Sequence, residues 1–119
     1  MVNKKLQITI EKIQRFRDDR DWMQFHNPKD LALALSIEAS ELNELFLWKD
    51  KKEVEEFVKN IKNIEEISDE LADVFTFALE LAENLGIDIE KSIEQKLVKN
   101  NKKYPTNKSR GKHTKYTKL

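Results

Sequence analysis

Between Pro28 and Gly86 the chain runs without a single proline or glycine. A stretch that long, with no residue suited to tight turns or sheet corners and with apolar residues at three- and four-residue spacing, constrains the fold to packed helices. The 119 residues include only two Gly and two Pro, and 37% of them are charged. That is enough for one domain with a modest core. No segment alternates with the period of two that a half-buried strand requires, and no internal repeat occurs.

Start and stop signals divide the pattern. Leu6, Ile10, Ile13 and Phe16 predict an amphipathic helix over residues 4–21. The stretch WMQFHNPKD breaks it, and Asn27 as N-cap, Pro28 in the first helical position and Asp30 in the first turn predict a second helix running to about Trp48. Asp50 with Glu53 three residues later forms a capping-box pattern. The helical pattern from 52 to 85 is expected to break near 60–63 and to stop at Gly86 as a C-terminal cap; Asp88 caps a last helix that fades near Tyr104 and Pro105. The expected fold is therefore an all-α bundle of four or five helices with short connections.

Cysteine is absent, which excludes disulfides, thiolate metal sites and cysteine nucleophiles and fits a reducing cytoplasm. No apolar run approaches a membrane span and no signal-like stretch follows Met1, so no membrane partner is expected. The net charge of zero is unevenly spread. Residues 106–119 hold five basic residues and no acid, leaving 17 basic against 22 acidic residues in positions 1–105, a net of −5. We expect an acidic helical domain over 1–105 and a basic tail without regular structure over 106–119; nucleic acid is not the expected partner.

Acids lie where apolar residues are expected. At ~100° per residue, Leu31, Leu35, Leu42 and Leu45 fall within about 80° of one another, with Glu38 inside that stripe and Glu41 about 60° to one side. Ile67, Leu71, Val74, Ala78, Leu81 and Leu85 form a second stripe, flanked by Glu66, Glu70, Asp73 and Phe77 at spacings of four, three and four. Two facing helices would gather Glu38, Glu41, Glu70 and Asp73. Ionised carboxylates at such a border must be protonated, paired or bound to a cation. Hard oxygen ligands without His or Cys suit Mg²⁺, with Mn²⁺ as a substitute, and a polyphosphate would complete the coordination. The alternative is a solvated acidic face paired with the many lysines.

The segments RDWMQFHNP (20–28), EASELNELFLWK (38–49), DELADVFTFALELA (69–82) and KLVKNNKKYP (96–105) together resemble, in order, the MazG-like nucleoside triphosphate pyrophosphohydrolases, and within them most the single-domain dCTP pyrophosphatase branch. The resemblance covers about 20–105. It implies an all-α bundle that assembles as a homodimer or homotetramer with a site partly shared between chains. It also implies Mg²⁺-dependent cleavage of a nucleoside triphosphate to monophosphate and diphosphate, a nucleotide-pool house-cleaning reaction on dCTP or a modified dNTP in the cytoplasm. Glu38, Glu41, Glu70 and Asp73 would hold the metal, and Glu38 and Glu41 are the candidates for the catalytic carboxylate. Lys96, Asn100, Lys103 and Tyr104 match the phosphate-contacting stretch. Trp22, His26 and Trp48 match the base side, with Lys49 within reach of phosphate and Phe77 against the sugar. One departure stands out: where the dCTP-specific relatives carry a His on the first helix, this chain has Ile13. Two other readings are a non-catalytic helical interaction module and a partner-dependent subunit.

Overall fold

A computed structural model describes residues 3–119. The chain forms α1 (Lys4–Asp19), a 3₁₀ turn (Met23–Phe25), α2 (Pro28–Glu44), α3 (Lys51–Phe57), α4 (Ile61–Asn84), α5 (Ile89–Lys103), α6 (Thr106–Ser109) and a final 3₁₀ turn (Tyr116–Lys118). No strand occurs among the described residues. The architecture is the expected all-α one, with α6 added as a single helical turn.

Side chains start the helices where the sequence places them. Asn27 Oδ1 accepts from Asp30 N at 2.9 Å with Pro28 opening α2. Asp50 and Glu53 close a full capping box on α3, and Asp88 accepts from Lys91 N on α5. Gly86 at φ 66 closes α4: Ile87 N donates to Ala82 O at 2.8 Å and Gly86 N to Glu83 O at 3.1 Å, the paired bonds of a Schellman ending. The break before α4 falls at 58–60, with Asn60 as its N-cap.

One boundary differs from expectation. α2 stops at Glu44 rather than near Trp48. Beyond it the chain tightens into bonds to the third residue back, Phe46 N to Asn43 O at 3.0 Å and Leu47 N to Glu44 O at 3.2 Å. Trp48 then turns out at φ 65, a conformation that is costly for a bulky L residue.

α2 and α4 pack along their lengths and form the centre of the chain, with α1 laid against α4. α5 is tied back through Asn3 N, which donates to Glu90 Oε2 at 3.0 Å. In the segment expected as an unstructured tail, Tyr116 meets Tyr104 edge-on at 5.9 Å between ring centres.

Little is fully enclosed. Ile10, Leu31 and Ala82 are the buried apolar residues among those described, while Leu33, Ile37, Ile61, Phe75 and Leu97 are each half exposed or more. The accessible surface is 9653 Å², against ~6,700 Å² for a closed monomer of this mass. The radius of gyration is 17.8 Å, against about 13.5 Å for a compact chain of this length. No helix of the described residues is long and apolar enough to cross a membrane.

Candidate active site

The packing of α2 on α4 brings Glu38, Glu41 and Glu70 together, one carboxylate oxygen of each lying within 4.8 Å of the others. Glu38 Oε2 and Glu70 Oε2 are buried and have no hydrogen-bond partner among the described residues. No lysine or arginine pairs with any of the three among the described residues; the ion pairs lie elsewhere, at Arg17–Asp18 and Lys59–Glu56. The lysine-paired acidic face is therefore not what forms. Burial first, and then the adjacent Glu41 carboxylate and the charges of Asp73 and Glu70, push Glu38 up to about 7. Glu70 is also raised, by burial and then by the charge of Glu41. Three carboxylates held together, with Glu38 and Glu70 raised in pKa and left with bare buried oxygens, form a donor set that fits a hard divalent cation. Asp73, one turn beyond Glu70, lies outside the three-residue cluster but lines the cleft beside it together with Glu38.

That cleft has a volume of about 240 Å³ and is lined by Phe16 of α1, Trp22 and His26 of the connecting loop, Glu38 of α2, and Asp73, Thr76, Phe77 and Glu80 of α4. It is smaller than the roughly 300–1,000 Å³ pockets that enclose drug-sized ligands, and its scale suits a base with its sugar. Rings edge into one another around it: Phe16 and Trp22 at 5.8 Å, Trp22 and His26 at 6.5 Å, His26 and Phe77 at 6.4 Å. A more open depression along Ser36, Ala39, Ser40, Leu42, Asn43 and Phe46 contains no titratable group.

The loop carrying Trp22 and His26 is held by short-range bonds and one long-range bond. Gln24 Nε2 donates to Asp21 O at 2.9 Å and to Asp21 Oδ2 at 3.1 Å. Asn84 Nδ2 donates to the His26 carbonyl at 2.9 Å, fastening the loop to α4. His26 Nδ1 stands 3.3 Å from Glu80 Oε2, whose side chain is almost wholly buried. Burial raises the Glu80 pKa, opposed by His26 and Arg17.

The other residues marked by the sequence lie apart from this cleft in the same chain. Trp48 is 90% exposed. Lys49 Nζ donates to Leu45 O at 2.8 Å and lies over the Phe57 ring at 4.6 Å. Lys96, Asn100, Lys103 and Tyr104 belong to α5 and its cap and do not line the cleft. Lys103 Nζ is 4.8 Å from the centre of the Tyr116 ring. Conversely, Phe16, Thr76, Glu80 and Asn84 join the site without having been expected there. For Glu80 a signal exists: the flank series Glu66, Glu70, Asp73, Phe77 continues by one more step of three.

The chain is similar to known proteins over most of its length. The model of the MazG-like family matches residues 33–119. The chain is 38% identical over 115 residues to dCTP pyrophosphatase 1 of Rattus norvegicus, covering 93% of this chain and 68% of that protein. It is 36% identical to dCTP pyrophosphatase 1 of Homo sapiens over the same shares. A crystal structure of a pyrophosphatase from Archaeoglobus fulgidus superposes with a TM-score of 0.79 at 33% identity, covering 88% of this chain and 96% of that one.

Proposed function

This chain belongs to the MazG-like family and is a nucleoside triphosphate pyrophosphohydrolase, and we propose that it clears deoxynucleotides, dCTP or a modified dNTP, from the cytoplasmic pool. The observation that carries the reading is the shared position of Glu38, which belongs both to the carboxylate cluster and to the aromatic cleft. A triphosphate with its nucleoside in the cleft has its phosphates at the acids.

In this reading Glu38, Glu41, Glu70 and Asp73 hold Mg²⁺, with Mn²⁺ as a substitute. Their all-oxygen donor set and the bare buried oxygens of Glu38 and Glu70 support that assignment. When bound, the cation supplies neutralisation of phosphate charge and a more acidic water. The protein's own part is positional. Trp22, His26 and Phe77 hold the nucleoside, and Glu38 or Glu41 accepts the proton of the water that attacks phosphorus. No side chain need act as nucleophile. The body of the enzyme is residues 1–105, and the basic segment 106–119 returns to it where Tyr116 meets Tyr104.

A second copy completes the site. The surface excess of ~3,000 Å² over a closed monomer is on the scale of obligate interfaces. Lys96, Asn100, Lys103 and Tyr104, together with Trp48 and Lys49, lie away from their own chain's cleft, and a homodimer or homotetramer gives them a cleft to serve.

The deciding assay is diphosphate release from a panel of NTPs and dNTPs with Mg²⁺ and with EDTA, with the monophosphate identified as co-product. Wild type should release diphosphate only with metal, and Glu41→Gln should lose that release. An intact oligomer that turns over no nucleotide would remove the reading and favour the non-catalytic interaction module.

A further inference from the structure

Glu80 is the one buried acid among the described residues, and the metal cluster does not account for it. A carboxylate that deep is expensive unless something meets it. What meets it is His26, with Nδ1 at 3.3 Å. Arg17 adds a favourable field from α1, but its Nε is committed to Asp18 Oδ1 at 2.8 Å. Among the described residues Glu80 therefore has neither a lysine nor an arginine in direct contact, and it faces the cleft.

Its place along α4 matters. Asp73 and Glu80 are seven residues apart, two turns, or about 10 Å along the helix axis. Thr76 and Phe77 line the cleft between them. That separation is about the reach of a nucleotide from its phosphates to the far edge of its base. With the phosphates at Glu38 and Asp73, the base edge arrives at Glu80 and His26.

We propose that Glu80 is a specificity-determining residue that makes its end of the cleft select cytosine and adenine, which carry an amine at C4 or C6, over thymine and uracil. The inference rests on the pyrophosphohydrolase reading above. An ionised carboxylate only accepts hydrogen bonds. Cytosine and adenine present an exocyclic amine at the edge in question, at C4 and C6. Thymine and uracil present a carbonyl at that position, as guanine does at C6, and two acceptors facing each other in a buried site leave both unpaired. A site built to accept a hydrogen bond at one position rejects a base with no donor at that position more strongly than an apolar pocket rejects a shape. In this role Glu80 replaces none of the metal ligands and places no new group at phosphorus.

The test is kcat/KM for dCTP and dATP against dGTP, dTTP and dUTP, for wild type and Glu80→Gln, with Mg²⁺. Wild type should favour the better amino-bearing substrates over dUTP by on the order of 100-fold. Glu80→Gln, whose amide donates as well as accepts, should shrink that ratio at least tenfold, mainly through faster dUTP turnover. A wild type that hydrolyses dUTP as well as dCTP would overturn the proposal, as would an active Glu80→Gln with an unchanged ratio. If the variant does not fold, wild type alone decides the matter. Product binding in EDTA should fall from dCMP to the 2-pyrimidinone deoxynucleotide, which has neither amine nor carbonyl at C4, and fall again to dUMP. Equal binding of all three removes the proposal. The binding series needs no turnover, so an inactive chain that still orders the three ligands this way refutes the enzyme reading and leaves the assignment of Glu80 standing.

Discussion

Glu38 on α2 and Glu70 on α4 meet across the central helix pair, and each keeps a buried oxygen to which none of the described residues donates. Thirty-two positions separate them in sequence. Only the packing of two helices makes them neighbours, so their mutual repulsion is a property of the folded state. That makes it measurable against the unfolded chain.

Stability without metal should fall as pH rises. Glu38 is raised from its ordinary 4.5 to about 7, so the folded chain holds a proton that the unfolded chain releases. A group raised in this way contributes stability that is full below about 4.5 and is lost as pH climbs through about 7; Glu70 acts in the same direction. Melting curves in EDTA should shift downward across that window. Added Mg²⁺ should raise the melting temperature more at pH ~8 than at pH ~6, because ligation needs ionised acids. A metal-induced shift that shrinks with rising pH would contradict this assignment.

Glu41→Gln should separate activity from stability. Loss of a ligand carboxylate is expected to lower kcat/KM by at least ~100-fold. The same change removes the neighbour that helps raise Glu38, so the metal-free variant should melt higher than wild type at pH ~8. An inactive variant that is also less stable without metal would mean that Glu41 has a structural partner instead.

Asn84→Ala tests the loop anchor. The lost bond to the His26 carbonyl should cost about 1 kcal/mol of stability. With the loop loosened, KM for the nucleotide should rise several-fold while kcat at saturation and the metal titration stay near wild type. An unchanged KM would show that His26 and Trp22 are held well enough by the local bonds around Asp21 and Gln24.

Mixing tests the shared site. Trp48→Ala and Glu41→Gln should each be poorly active alone. Co-refolded, they should recover part of the wild-type rate, since a mixed assembly contains one site with both intact residues. No recovery, with mixed assemblies confirmed by mass spectrometry, would place Trp48 in the service of its own chain.

Much of the fold is legible in the residues alone. Asn27 with Pro28, Asp50 with Glu53, Asp88 and Gly86 mark helix ends through local chemistry, and local chemistry is what a sequence displays directly. The acids at spacings of four and three are legible for the same reason, since helical periodicity alone puts them on one flank. The end of α2 is not. Leu45, Phe46, Leu47 and Trp48 are all compatible with a continued helix, and the stop is set by tertiary contacts such as Phe46 against Phe57 at 5.9 Å and by Lys49 turning back on Leu45. The bond from Asn84 to His26 joins residues 58 positions apart and has no local signature. Glu80 continues the acidic flank, yet an acid near the end of a charged helix looks like surface until the loop is seen folded over it.

The shortage of enclosed side chains also bears on dosage. If, as proposed, the chain completes its interior by joining another copy, its unfolding equilibrium depends on its own concentration. At low abundance, newly made chains spend longer alone, with apolar helix faces open to proteases. Working enzyme then rises more steeply than the number of chains synthesised. A modest change in expression becomes a larger change in the rate at which nucleotides are removed.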